Sequence, residues 1–192
     1  ELGVEDCQAV GICSGAYHSF KAAVAGHPVT SVIAVNPAVF FWQEGMSLDV
    51  LPEDMVTVRS IAGYKRSIRS AHRWRKWLRG DFNLVRAGSM IARRTAMSMK
   101  RHLRDVARWG GIEVSNDLAA ELRAAAAHKV DLRFIFSPSE SGLVLLREQT
   151  GSILERLKRD GALGVSMIAD ADHNFSSRDS RNRLSDMLSA MI

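Results

Sequence analysis

Residues 9–17, Ala-Val-Gly-Ile-Cys-Ser-Gly-Ala-Tyr, constrain this chain more than any other stretch. An apolar run enters Gly11-Ile12-Cys13-Ser14-Gly15 and continues into a helix-prone segment, so the spacing predicts a strand that turns at once into a helix. So abrupt a turn presses the two backbones together. Glycines flanking the centre remove Cβ atoms that would collide there, and the central side chain is pushed out at the end of the strand. That central residue is Cys13. Two readings stand side by side: an exposed thiol nucleophile, or a buried structural cysteine next to a turn. If the strand ends one residue later, Ser14 becomes the exposed group instead.

The rest of the chain reads as alternating strands and helices. A strand is predicted over 3–11 with Cys7 inward, and a helix over 14–26 with Ala16, Phe20, Ala23 and Val24 as its buried stripe. A nearly all-apolar strand over 29–35 follows, as expected where both faces of a parallel sheet are covered. Beyond residue 115, Ser-Asn-Asp opens a helix over 115–128. Then come a strand over 131–137, an amphipathic helix over 143–160 carrying Leu146, Ile153, Leu154 and Leu157, a strand over 165–169 and a closing helix over 181–192. This order predicts the α/β class, a mostly parallel sheet with helices on both faces. Between the second and third strands the sheet pattern vanishes. Residues 47–114 read as an inserted basic helical cap, and residues 1–46 with 115–192 as the core.

Charge supports that division. Fifteen Lys/Arg fall between Arg59 and Arg108 against two acids, Asp81 and Asp105, although the whole chain carries only +5. Such a patch suits a solvated cap surface or a site facing an anionic substrate. Tryptophans among the arginines raise nucleic acid as a partner, but no helix-turn-helix, zinc or RNA-binding signature accompanies them, and that reading is set aside. No apolar run approaches the ~20 residues of a membrane span. No signal peptide is visible, the chain opens on Glu1 and not Met, and a cytoplasmic protein is the expectation. Cys7 and Cys13 would lie ~20 Å apart on one extended strand, too far for a disulfide. Cys and His show no metal-site spacing, so neither a metal nor a cofactor is expected.

Two further stretches carry chemistry. At 169–176, Ala-Asp-Ala-Asp-His-Asn-Phe-Ser, an apolar run stops at a polar turn bearing His173. Asn36, Phe40, Phe41 and Trp42 follow directly on the second strand, at the sheet edge where open α/β sheets bind ligands. The aromatic run forms either a pocket wall for an acyl or sugar group, or packing under the cap.

Gly11-Ile12-Cys13-Ser14-Gly15, a histidine at the last strand end and the order nucleophile-before-histidine together resemble the C-terminal half of the α/β-hydrolase superfamily. The elbow is the cysteine form, similar to that of dienelactone hydrolases and polyhydroxyalkanoate synthases. The resemblance covers residues 3–39 and 131–192. It implies a triad in which Cys13 is the nucleophile and His173 the base. The orienting acid belongs in the loop after the preceding strand, where Glu140 is the only carboxylate; Asp131 falls at the wrong strand end, and Asp170 and Asp172 sit on the histidine turn itself. His18, His27, His72, His102 and His128 lack the strand-end position. The Ser14 N–H, within the Gly11/Gly15 elbow, would serve as an oxyanion donor. The implied function is an esterase or thioesterase acting on a small acyl ester or thioester. An acyltransferase using a CoA- or sugar-linked partner and an inactive scaffold are the alternatives. The superfamily places about four strands before the elbow and here only twelve residues precede it. The expectation is therefore a fragment, or a sheet completed by a partner chain or a second copy.

Overall fold

In the computed structural model the described residues are 6–42, 99, 103, 116–138 and 140–192. They build a four-stranded, all-parallel sheet in the order β1-β2-β3-β4. The strands are β1 (Gln8–Ile12), β2 (Ser31–Val35), β3 (Asp131–Phe136) and β4 (Leu163–Met167). The helices are α1 (Ser14–Val24), α2 (Leu118–Ala127), α3 (Ser141–Thr150), α4 (Ser152–Arg159) and α5 (Arg178–Ser189). The sheet belongs to the first of two units into which the chain divides, Glu1–Glu44 with Asp117–Ile192, the second being Gly45–Asn116. The stretch read as a basic cap, 47–114, lies outside the described residues apart from Met99 and Leu103.

Each element has a local cause. In β2, Val32, Ile33, Ala34 and Val35 are all buried, and β-branched side chains pack well on a pleated surface covered from both sides. The first turn of α2 is capped by Asp117, whose carboxylate accepts from the N–H groups of Ala119 and Ala120. One face of the sheet meets α1 through an aromatic cluster. Phe20 stands edge-on to Phe40 at 5.8 Å between ring centroids, and Phe134 lies 6.0 Å from Phe20 and 6.2 Å from Phe136. Each such ring, taken fully out of water, contributes about 1.5–3 kcal/mol. The other face packs Ile33, Val35 and Ile135 against Ile168, Ala171, Phe175 and Leu184, the last from α5.

Four expectations need adjustment. The amphipathic stretch over 143–160 is two helices, because Gly151 takes φ 53°, ψ −124° and interrupts the ladder between α3 and α4. β4 begins at Leu163, two residues earlier than its apolar run suggests, since pairing with β3 sets its register (Leu132 opposite Leu163). Ile168 then leaves the sheet to join the core on the α5 side. The closing helix starts at Arg178, with Ser177 accepting from the Ser180 N–H. Cys7, expected inward, is exposed.

Register decides where the loops emerge. Ile12, Val35 and Ile135 lie in one row across the sheet. Cys13, Asn36 and Ser137 therefore leave the sheet together at its carboxyl edge, and the loop after β4 joins them there. Among the described residues β1 has no neighbour on its far side.

Candidate active site

The strand-to-helix turn has the strained geometry its sequence calls for. Cys13 holds φ 56°, ψ −111° as the N-cap of α1, a conformation that side-chain-bearing residues rarely adopt. Its backbone N–H donates to the Val35 carbonyl at 2.9 Å, which locks the turn to the end of β2. A Cβ on Gly11 would stand 2.2 Å from the Gly15 carbonyl carbon, so only glycine fits at that position. Gly15 differs. Nothing lies within 4 Å of where its Cβ would be, so the steric reason given for it from sequence does not hold. Cys13 is half-buried, and Ser14, the first residue of α1, is exposed. The Cys13 side chain makes no capping hydrogen bond, and no acidic residue stands in the first turn of α1.

The histidine loop follows β4, the edge strand farthest from β1, and emerges at the same carboxyl end of the sheet. His173 Nδ1 lies 3.0 Å from Glu140 Oε2. A carboxylate only accepts, so Nδ1 carries a proton; in the neutral ring the lone pair is then on Nε2, the tautomer a general base requires. The Glu140 side chain is 12% exposed and the His173 ring 38%, so the imidazole is reachable while its partner is sheltered. Glu140 Oε1 accepts from the Ser137 hydroxyl at 2.7 Å. Asp172 does not compete for the imidazole. Its Oδ1 accepts from the Ser176 N–H at 2.8 Å, and bonds from Ser176 hold its carboxyl below the usual carboxylate range. Phe175, at φ 51°, is buried in the α5-side core and anchors the loop.

Asn36 joins these parts. It is fully buried and in the left-handed region at φ 46°. The carboxamide of this pocket candidate is engaged with protein groups. Nδ2 donates to the His173 carbonyl at 2.9 Å and to Ser137 Oγ at 3.2 Å, and Oδ1 accepts from the Ser137 N–H at 2.7 Å. The aromatic run divides as well. Phe40 is in the core, while Phe41 places its ring 4.8 Å from Lys21 Nζ, and Lys21 pairs with Glu121 of α2. Trp42 is largely exposed.

Cys13 and His173 thus flank the end of β2 from two sides, one bonded to Val35 and the other to Asn36. Among the described residues no hydrogen bond joins the thiol to the imidazole. Among the same residues no group of three or more His, Cys, Asp or Glu is arranged to hold a metal, and no helix is long and apolar enough to cross a membrane. Ser137 is the site residue that sequence reasoning missed. Its signal was slight, a hydroxyl immediately after a strand and three residues before the only carboxylate of its loop. No family model, curated protein or solved structure matches the chain.

Proposed function

We propose that this chain is an acyl hydrolase of the α/β-hydrolase type, acting on an ester or thioester through Cys13, His173 and Glu140. The observation that carries the reading is the Glu140–His173 pair, held through Asn36 to the strand end beside which Cys13 sits in a strained turn. His173 Nε2 takes the thiol proton as Cys13 sulfur attacks the acyl carbonyl. The Ser14 N–H donates to the oxyanion that forms. Collapse breaks the bond to the alcohol or thiol, which leaves with the proton from His173, and the acyl group stays on sulfur. His173 then deprotonates water, whose attack releases the acid and restores the thiol. Glu140 keeps the imidazole in the Nδ1–H form and stabilises the imidazolium that appears twice in the cycle.

The reading includes a completed sheet. An open β1 flanked by exposed apolar side chains supports a strand added there by a second copy or a partner chain. A thiol nucleophile suits the reducing cytoplasm. The test is intact mass after exposure to an activated acyl ester. A single acyl adduct that disappears in Cys13→Ala is the expected result. An adduct that persists and maps to Ser14 moves the nucleophile by one residue, and no adduct at all overturns the reading.

A further inference from the structure

The Glu140–His173 pair is held by a closed ring of hydrogen bonds whose other members touch no reacting atom. Start from Asn36. Its Oδ1 accepts from the Ser137 N–H, which fixes which end of the carboxamide is which. A flipped amide would set donor against donor there and acceptor against acceptor at the His173 carbonyl. With that orientation set, Nδ2 carries two protons, and both have acceptors: Ser137 Oγ at 3.2 Å and the His173 carbonyl at 2.9 Å.

The Ser137 hydroxyl then has only one direction open. Its oxygen already accepts from Asn36, so its single proton goes to Glu140 Oε1 at 2.7 Å. Oε2 is left to the His173 Nδ1–H at 3.0 Å. The circuit closes because His173 is held at both ends, its ring by Glu140 and its backbone carbonyl by Asn36. Asn36 and Ser137 are both fully buried. Water does not compete for the bonds between these two residues, and low surrounding polarity strengthens them. The left-handed backbone of Asn36 narrows the choice of residue further. Asparagine tolerates that conformation, whereas glutamine or a β-branched side chain does not adopt it readily.

We propose that Asn36 and Ser137 are positioning residues, which fix the tautomer and placement of His173 by setting the direction of every hydrogen bond around the Glu140–His173 pair. The assignment rests on the acyl-transfer reading for its catalytic meaning, but its geometric content is independent of it. Ser137 aims one carboxylate oxygen, and so leaves the other for the imidazole. Asn36 aims Ser137, and also fixes the height of the histidine loop above β2.

Two variants separate these roles. Ser137→Ala removes the hydroxyl and leaves the backbone bond to Asn36. Asn36→Asp is nearly isosteric, keeps the acceptor for the Ser137 N–H, and removes both donations from Nδ2. Histidine-labelled protein is followed by nitrogen–proton NMR, which reports the His173 tautomer and the exchange of its Nδ1 proton with water. Acylation of Cys13 by the activated ester is timed on the same samples. The wild type is expected to hold a single Nδ1–H tautomer. Both variants are expected to keep the fold, mix the tautomers, exchange the Nδ1 proton about tenfold faster, and acylate about tenfold more slowly with KM little changed. A single tautomer with wild-type exchange in either folded variant overturns the proposal for that residue. If one variant does not fold, the other still decides the ring's role. If wild-type Cys13 does not acylate while the variants mix tautomers as described, the positioning assignment stands and the acyl-transfer reading falls.

Discussion

The Gly11 Cα points so directly at Gly15 that a Cβ there would stand 2.3 Å from the Gly15 carbonyl oxygen and 2.6 Å from the Ala16 nitrogen. All the obstructing atoms are backbone, which cannot swing aside. Gly11→Ala is therefore expected to destabilise the protein by about 3 kcal/mol or more. Gly15→Ala meets open space within α1 and should be neutral, or stabilising by up to about 1 kcal/mol, because alanine is the better helix former. Denaturant melts of the two variants check the pair, and equal losses would refute this account of the turn.

Cys13 holds a backbone conformation that side-chain-bearing residues rarely adopt. Cys13→Gly relieves that strain and is expected to raise stability by roughly 1–2 kcal/mol while abolishing acyl-adduct formation. A variant less stable than wild type would mean that the thiol's packing outweighs the backbone cost.

Two carboxylates give opposite acid–base signatures. Burial raises Glu121 above its ordinary value, only partly offset by its bond to Lys21. The folded state thus holds the Glu121 proton more tightly than the unfolded state. The resulting stabilisation is complete below the ordinary carboxylate range and is lost as pH rises through the raised value. Relative to wild type, Glu121→Gln should therefore gain stability as pH is raised from 4 to 7. Asp172, lowered by its bonds from Ser176, works the other way. Its contribution is present above the ordinary range and is lost as pH falls through the lowered value, so Asp172→Ala should narrow the gap to wild type in acid. Urea melts across pH 2–7 measure both slopes.

The β1 edge predicts association. The Cys7 carbonyl and the Cys13 N–H both bond to residues beside β2, so by alternation Gln8, Val10 and Ile12 turn their backbone groups to the open side. Val10 is 44% and Ile12 48% exposed, and no lysine, proline or acid guards the strand. Light scattering after size exclusion is expected to show a dimer that Val10→Lys converts to a monomer. A wild-type protein monomeric at every concentration tested would count against pairing through this edge.

Much of the fold is written locally in the chain. The apolar run of β2, the Asp117 cap and the small residues around Cys13 each announce their element within a few positions. Other features are decided by tertiary contact or by a single backbone angle. The start of β4 follows from pairing with β3, and the Gly151 break follows from a backbone angle that glycine permits but composition does not announce. Asn36 reads as a pocket candidate because it follows β2 at the carboxyl end of the sheet. Its side-chain contacts lie 101 and 137 positions further along the chain, beyond any local pattern.

Those separations bear on timing. The bond from Asn36 to the His173 carbonyl closes a loop of most of the chain, and the β2–β3 pairing beneath it closes another of about one hundred residues. Contacts so distant form late, after the entropy of closing the loops has been met. Residues 8–35 are emitted from the ribosome long before residue 173 exists. A thiol at Cys13 can therefore emerge early in synthesis, but the imidazole that would activate it is seated only when the last strand and helix dock. Under the proposed triad, reactivity at this cysteine would appear only once β4 and α5 have docked, and its onset would time that step.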